Sequence, residues 1–251
     1  MDSVPFWLPF VFFAIALVYS AAGFGGGSAY LAVLAVSGLS YVAIPQIALL
    51  CNVIVSGGGT WHFHRGGHMD WKRMLPFIVL SIPMAYLGGR LQIGKEQFYI
   101  VVGLSLLAAG IRMLLPNIGD RTRRSITGAR AWLIGLPVGA GLGLLSGVVG
   151  IGGGIFLAPI LLLTGWTNVK QTAAAASLFI LVNSVAGLAG QLVKGVYLDI
   201  MVIPLALAAL VGGQIGSRAG SYYLPAIGVR RLLAAIIVVV GVRLLWKAIW
   251  I

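Results

Sequence analysis

The sequence predicts an all-α polytopic membrane protein made of two inverted repeats, each a glycine-broken helical hairpin followed by three transmembrane helices. Hydrophobic residues make up 60% of the 251 residues and charged residues only 9%, whereas a soluble domain carries about 25% charged residues. Glycine occurs 36 times, and it is frequent in membrane helices because it lets backbones approach closely. In addition, glycine motifs of the first half return in the same order in the second half.

Apolar runs follow one another along the whole chain, separated by short polar loops. A helix needs about 20 apolar residues to span a bilayer, and the second and seventh runs are too short to do so alone. Each of these two runs directly follows a glycine triplet, at 25–27 and at 152–154. The ten runs cover residues 5–22, 28–38, 44–61, 74–89, 98–115, 131–149, 155–163, 172–193, 200–217 and 229–250.

The first two runs predict a re-entrant hairpin. Residues 5–38 are too many for one crossing, so we expect a helix, a break at the glycines and a short helix that returns to its starting side. The sixth and seventh runs predict the same hairpin in the second half, and three more runs follow each hairpin. The first transmembrane repeat therefore covers 1–115 and the second covers 131–251, joined by a basic cytoplasmic linker at 116–130.

Matching motifs show that the two halves are repeats. GFGGG at 23–27 matches GIGGG at 150–154 with an offset of 127. Gly-Gly-Arg at 88–90 matches Gly-Ser-Arg at 216–218 with an offset of 128, which also relates Ser56 to Ser184. Internal repeats with interrupted helices at corresponding positions are typical of secondary transporters and indicate where the substrate binds.

The crossings predict that the repeats are inverted. Each half makes an odd net number of crossings, so the second half starts from the opposite face of the membrane. With the N-terminus outside, 12 of the 17 Lys and Arg residues fall on the cytoplasmic side and 5 outside, in agreement with the positive-inside rule. Both termini are therefore predicted to lie outside the cytoplasm, in a bacterial or archaeal plasma (inner) membrane.

The two glycine triplets predict an anion site. A helix that begins inside the membrane leaves its first backbone N–H groups without partners, and its N-terminus carries about half a positive elementary charge. In an inverted arrangement the two short helices can begin near the midplane from opposite sides and face one cavity. Glycine has no Cβ, so a ligand can reach these amides.

Neutral hydrogen-bonding side chains on the spans complete the predicted site. An Asn at mid-span, such as Asn52 or Asn183, either forms a helix–helix hydrogen bond or lines a cavity as a ligand. The predicted substrate-binding residues are Gly25, Gly26, Gly27, Ser28, Gln46, Asn52, Ser56, Gly152, Gly153, Gly154, Thr172, Ser177, Asn183 and Ser184.

The charged residues exclude several classes of function. The five acidic residues, Asp2, Asp70, Glu96, Asp120 and Asp199, all fall at the N-terminus or in loops, which disfavours a proton relay or a carboxylate Na⁺ site inside the membrane. The net charge of +12 follows from the cytoplasmic loops, so no nucleic acid partner is predicted. No cofactor is predicted, and the chain is not expected to be an enzyme.

Two further features have simple interpretations. His62, His64 and His68 have a spacing that could suit Zn²⁺, but they fall in a short basic interfacial loop, where contact with lipid headgroups or the loop itself is favoured. No metal site is therefore predicted. Cys51 lies within an apolar run and is interpreted as a packing residue.

Several segments resemble the sulfite exporter TauE/SafE family of membrane permeases. GFGGGSAYLAVL at 23–34 and GVVGIGGGIFLAPILLLTG at 147–165 resemble its paired signature, and KQTAAAASL at 170–178 and GGQIGSR at 212–218 are similar to later family segments. The first-half motif departs from the pattern because it lacks a proline equivalent to Pro159. The resemblance covers nearly the whole chain and implies transport of sulfur-containing anions such as sulfite, sulfoacetate or related organosulfonates.

We therefore expect a secondary transporter that exports a small sulfur-containing anion by alternating access. Its expected partners are that small anionic substrate and the lipid bilayer. Two alternatives fit the same sequence, an anion channel of this architecture and a non-transporting membrane assembly subunit. Flux that never saturates would indicate the channel, and glycine breaks packed dry against other helices would favour the subunit.

The predicted orientation can be tested with reporter fusions. Alkaline phosphatase fused after Ile251 is expected to be active and green fluorescent protein at the same position dark, because this end lies outside the cytoplasm. Fusions at Gly67, in a predicted cytoplasmic loop, should give the opposite pattern. A fluorescent C-terminal fusion would contradict the orientation.

Overall fold

The computed structural model describes residues 5–114, 128–195, 197–200, 202–222, 238–239, 241–246 and 248. These residues form helices and connecting turns and contain no strand, which confirms the predicted all-α class. Most of the predicted linker at 116–130 and much of the last apolar run lie outside the described residues.

Nine helices of the described chain correspond to the first nine apolar runs. The first half contains α1 (Leu8–Ala21), α2 (Gly27–Val36), α3 (Ala43–Arg65), α4 (Trp71–Arg90) and α5 (Lys95–Leu114). The second half contains α6 (Ala129–Val149), α7 (Gly154–Leu163), α8 (Val169–Leu192) and α9 (Val202–Tyr222). Residues 241–246 are also helical and pack on α5, where a Cβ placed on Gly241 would lie 3.1 Å from the Gly103 carbonyl oxygen.

Four of the described helices, α3, α6, α8 and α9, are long and apolar enough to cross a bilayer. The apolar windows of α3 and α8 are each 72% buried, against 33% for α6 and 39% for α9. The helices α3 and α8 therefore form the centre of the bundle.

The short helix α2 runs back along α1. Phe12 of α1 stacks on Tyr30 of α2 with ring centroids 4.5 Å apart, and a Cβ placed on Gly26 would lie 2.9 Å from Ile15. Position 26 thus lies beside residue 15 and position 30 beside residue 12, so the two helices are antiparallel. With ten residues each, α2 and α7 are about 15 Å long, too short to cross the hydrocarbon core.

Both short helices begin at a glycine in the left-handed conformation. The N-cap of α2 is Gly26, with φ of +93°, and the N-cap of α7 is Gly153, with φ of +76°. Side chains with a Cβ rarely adopt this conformation. The backbone therefore turns at these two positions because both are glycine.

Glycines bring helices of opposite halves into backbone contact. A Cβ placed on Gly139 of α6 would overlap the Phe77 carbonyl oxygen of α4, and one on Gly147 would overlap that of Ala85. From one contact to the next the residue number rises by eight in both helices, so α4 and α6 run parallel. Close approach of this kind requires small residues at the interface.

The pair α1 and α9 is built in the same way. A Cβ on Gly212 of α9 would meet the Phe13 carbonyl oxygen of α1, and one on Gly220 would meet that of Ala21. These helices also run parallel. Each long hairpin helix is therefore covered by a helix of the other half.

The end of α3 differs from the prediction. His62 and His64 were expected in a loop, but α3 continues through them to Arg65, because His62 Nε2 hydrogen-bonds Gln214 Oε1 of α9 at 3.0 Å and holds the last turn against the bundle. The ring of His64 lies edge-on to Trp71, and that of His68 lies beside Phe63. Among the described residues no three His, Cys, Asp or Glu side chains are grouped so that they could hold a metal ion.

A pair of glycines on α6 tests the role of backbone contact. Gly143→Val is expected to lower the melting temperature in detergent, because its Cβ would overlap the Ser81 carbonyl oxygen of α4 and overpacking of this kind costs about 1–3 kcal/mol. Gly141→Val is the matched control, because a Cβ there meets no atom within 4 Å. Equal melting temperatures for the two variants would contradict this account of the interface.

Candidate functional site

The two glycine breaks contact each other at the centre of the bundle. A Cβ placed on Gly27 would lie 2.6 Å from the Ile151 carbonyl oxygen, so the first triplet touches the segment that leads into the second. Residues 25–28 and 150–155 are all buried. The structure thus brings together the two features that the sequence predicted as one site.

Asn52 of α3 links the two breaks. Its Nδ2 donates hydrogen bonds to the carbonyl oxygens of Ile151 at 3.2 Å and Gly150 at 3.4 Å. On its other side, a Cβ placed on Gly25 would lie 2.5 Å from Asn52 Oδ1. The side chain is fully buried, so this Asn is both a bond between helices and a wall of the predicted site.

Ile180 of α8 faces Asn52 from the other half. Its Cγ2 lies 3.0 Å from the position of a Cβ on Gly25 and 2.8 Å from that of a Cβ on Gly152. The sequence prediction missed this residue because the predicted site contained glycines and hydrogen-bonding side chains, and the side chain of Ile180 is apolar. The repeat offset of 128 could have identified it, since this offset relates position 52 to position 180.

Hydrogen-bond donors gather at the breaks. Among the described residues, the N–H groups of Gly27 and Ser28 in α2 and of Gly154 and Ile155 in α7 have no backbone acceptor, as expected for the first turn of a helix. The Ser184 hydroxyl is buried without a partner, 3.1 Å from the position of a Cβ on Gly152. Donors at two helix N-termini are a suitable environment for an anion.

Three other predicted residues hydrogen-bond to backbone carbonyl oxygens. Ser177 donates to the Gly23 carbonyl oxygen at 3.0 Å. Ser56 donates to the carbonyl oxygen of Asn52, and Asn183 Nδ2 to that of Phe179 at 2.8 Å, each within its own helix. Of the three, only Ser177 bonds to the segment that leads into a break, and the Oδ1 of Asn183 is buried without a partner.

The N-cap glycines, Gly26 and Gly153, face away from Asn52. A Cβ on Gly26 would meet Ile15 and Tyr30, and one on Gly153 would meet Phe179. Their role in the described structure is therefore to turn the backbone rather than to contact Asn52.

Two predicted site residues lie away from the breaks. Gln46 Nε2 donates to the Gly195 carbonyl oxygen at 2.8 Å, and its Oε1 accepts from the Tyr197 N–H at 2.9 Å. Thr172 pairs with Thr167 through their hydroxyls at 2.7 Å, at the start of α8. The structure does not bring either side chain to the glycine breaks.

The acidic residues of the described chain lie at helix ends. Asp70 precedes α4 and pairs with Arg73 at 3.0 Å, Glu96 is in the first turn of α5, and Asp199 precedes α9. The centre of the bundle is therefore lined by neutral groups in the part of the chain that the structure describes.

The arrangement can be compared with known families. The model of the family described as Sulfite exporter TauE/SafE matches residues 8–244, including both broken hairpins. The chain belongs to this family. The match confirms the resemblance that the glycine motifs indicated.

Relatives of this TauE/SafE chain are named as membrane transporters. The probable membrane transporter protein y4hK of Sinorhizobium fredii is 36% identical over 98% of this chain and 100% of its own length. The probable membrane transporter protein ORF9 of Sinorhizobium sp is 28% identical over 93% and 89%. The probable membrane transporter protein MamO of Paramagnetospirillum magneticum is 26% identical over 72% of this chain but only 35% of MamO. No solved structure matches the chain.

The family and the apolar helices together place the chain among integral membrane transporters. Transport implies a small substrate and a lipid bilayer as partners, as predicted. The family consists of membrane transporters and not of enzymes, which is consistent with the predicted class.

Two asparagines test the link between the breaks. Asn52→Ala is expected to destabilise the protein by about 1–3 kcal/mol, because it leaves buried carbonyls of the second break unpaired. Asn183→Ala is the matched control, since that side chain is equally buried and donates only within its own helix. The melting temperature in detergent should fall further for Asn52→Ala, and the opposite order would contradict the assignment.

Proposed function

We propose that this TauE/SafE protein is a secondary transporter that exports a small sulfur-containing anion, such as sulfite, sulfoacetate or a related organosulfonate, by alternating access. The observation that carries the proposal is the meeting of two half-helix N-termini at one buried point, with Asn52 and Ser184 beside them. The anion is held by backbone N–H groups and neutral side chains at the breaks.

Equivalent contacts in the two halves support an inverted repeat. Gly23 of the first half packs on Ala173 of the second. Gly150 is the equivalent of Gly23 at an offset of 127, and Pro45 is the equivalent of Ala173 at an offset of 128. Gly150 in turn packs on Pro45. The repeat offset of 127 also relates packed pairs within each half, since Gly26 packs on Ile15 and Gly153 packs on Leu142.

Helix directions support the inversion. Gln46, near the start of α3, bonds to the Gln191 carbonyl oxygen near the end of α8 at 3.4 Å, whereas Gly59, near the end of α3, packs on Ser177 in the first half of α8. The equivalent helices α3 and α8 are therefore antiparallel. Two repeats that enter the membrane from opposite faces require this relation.

The membrane potential is sufficient to drive export of an anion. Moving one negative charge out of a compartment that is negative inside gains about 2.3 kcal/mol per 100 mV, and a divalent anion gains twice that. Because the described spans hold no carboxylate at the centre, the simplest mechanism has no coupled proton or cation. Since both breaks are buried, access to them requires the halves to move relative to each other.

The packing of the breaks is the one observation that favours a non-transporting assembly subunit. Asn52 and Ile180 fill the space beside both triplets, and residues 25–28 and 150–155 are buried. A transporter in a closed conformation and a rigid subunit share this feature, so measured flux separates them.

Flux into or out of proteoliposomes tests the proposal. Vesicles loaded with sulfite or sulfoacetate should release the anion faster when a potassium diffusion potential makes the interior negative, without a proton gradient. The initial rate should saturate with substrate. Absence of flux for every sulfur anion tried would refute the substrate class, and a rate that never saturates would favour a channel.

Two alanine substitutions locate the site in the same assay. Gly25→Ala places a methyl group 2.5 Å from Asn52 Oδ1, so we expect flux to fall by roughly fivefold or more, the effect of about 1–3 kcal/mol of overpacking. Gly57→Ala is the matched control on α3, because its Cβ would meet only Leu181 at 3.9 Å. Equal flux through both variants would refute the site at the breaks while leaving transport itself in place.

A further inference from the structure

A cavity of about 400 Å³ lies at the face of the bundle where α3 begins and α4 and α8 end. We call it the Lys194 cavity. The residues that line it include Val42, Pro45, Gln92, Val148, Lys194 and Tyr197. None of these lining residues is acidic, and Lys194 is the only cationic side chain among them. The volume is enough for a small organic anion with several water molecules.

The lining of the Lys194 cavity lies next to the second glycine break. Pro45 and Val148 both line the cavity. Pro45 also packs on Gly150, where a Cβ would lie 2.9 Å from the Pro45 Cα. Gly150 ends α6 and opens the break, so a residue of the cavity lining directly contacts the break.

The loop that carries Lys194 is held in place by Gln46. This buried side chain donates to the Gly195 carbonyl oxygen and accepts from the Tyr197 N–H, so it fixes the backbone on the C-terminal side of Lys194. The Lys194 ammonium donates to the Leu91 carbonyl oxygen at 3.1 Å. Gln46 is therefore a positioning residue for Lys194, and this gives its buried carboxamide a role outside the glycine breaks.

The environment of Lys194 favours an anionic ligand. The side chain is half-buried, and burial lowers its pKa because desolvation disfavours the charged form. Its one hydrogen-bond partner in the described structure is a neutral carbonyl oxygen. An anion in the cavity would supply the missing counter-charge, and the hydroxyl and carboxamide groups that line the cavity can donate to its oxygens.

We propose that the Lys194 cavity is an anion-binding vestibule, in which the Lys194 ammonium holds a small sulfonate or similar oxyanion in front of the wall formed by Pro45 and Gly150. As a step on the route to the glycine breaks, the vestibule rests on the proposed function. Binding of the anion in the cavity does not depend on transport.

Reagents of opposite charge test the vestibule in the purified full-length protein in detergent. Val42→Cys places a thiol on the cavity lining, and native Cys51 gives little background because it is fully buried. The modification rates with an anionic and a cationic methanethiosulfonate are measured for this variant. Adding Lys194→Gln is expected to lower the anionic-to-cationic rate ratio by about fivefold, the effect of one unit charge several ångströms away in water.

Lys95→Gln is the matched control for charge. Lys95 lies at the start of α5 on the same face but does not line the cavity. The ratio should stay unchanged in this variant. An equal fall with Lys95→Gln, no fall with Lys194→Gln, or a thiol that reacts with neither reagent would overturn the vestibule. Gln92→Cys is a second reporter on the lining should Val42→Cys fail to fold.

Ligand protection completes the test. Sulfoacetate is expected to slow modification of Val42→Cys when residue 194 is Lys and to have no effect when residue 194 is Gln. Protection that is the same in both proteins, or absent from both, would overturn anion binding by Lys194. Protection without any flux in proteoliposomes would support the vestibule and refute transport. Flux whose KM is unaffected by Lys194→Gln would refute the vestibule's place on the route and leave transport standing.

Discussion

A helix that stops inside a membrane leaves backbone groups that lipid cannot satisfy, at a cost of several kcal/mol for each group. The described part of this chain contains two short helices that begin at such an interruption, and the bundle is arranged so that both interruptions are enclosed. The breaks at 25–28 and 150–155 are buried against each other, and α3 and α8, the two most buried of the four long apolar helices, pass beside them. The central position of α3 and α8 follows from the need to cover this backbone.

Each half supplies the group that satisfies the break of the other half. The carbonyls at Gly150 and Ile151 accept from Asn52 of the first half, and the Gly23 carbonyl accepts from Ser177 of the second. The long hairpin helices are covered in the same crossed way, α1 by α9 and α6 by α4. Because each half covers the interruption of the other, neither hairpin is buried by its own repeat alone. The abundant glycines therefore serve two purposes, the breaks themselves and the close crossing of helices that encloses them.

The near-symmetry of the two halves ends at the centre. Asn52 and Ile180 occupy equivalent positions beside the breaks, yet one is a carboxamide and the other a hydrocarbon. At these two equivalent positions the first half thus presents a hydrogen-bonding group and the second an apolar one, while Ser184 of the second half adds a hydroxyl nearby.

Much of the architecture could be predicted from the sequence, and much of the candidate site could not. The apolar runs anticipated nine helices of the described chain to within a few residues at most ends, and the triplets at 25–27 and 152–154 located both breaks. The positions of the polar side chains were harder to predict. Asn52 lies at the breaks, whereas Gln46 holds the Lys194 loop and Thr172 pairs with Thr167. Ile180 and Lys194 were not among the predicted site residues at all.

There is a physical reason why the sequence predicted the architecture but not the directions of the side chains. Hydropathy over about 20 residues and the absence of a Cβ are local properties of the chain, so the sequence by itself determined the membrane class, the repeat and the places where helices break. The direction in which a side chain points depends on how each helix is rotated and which helix it meets more than a hundred residues away. Only the tertiary structure decided that Asn52 and Ile180 share one point, and that Lys194 faces a cavity next to the second break.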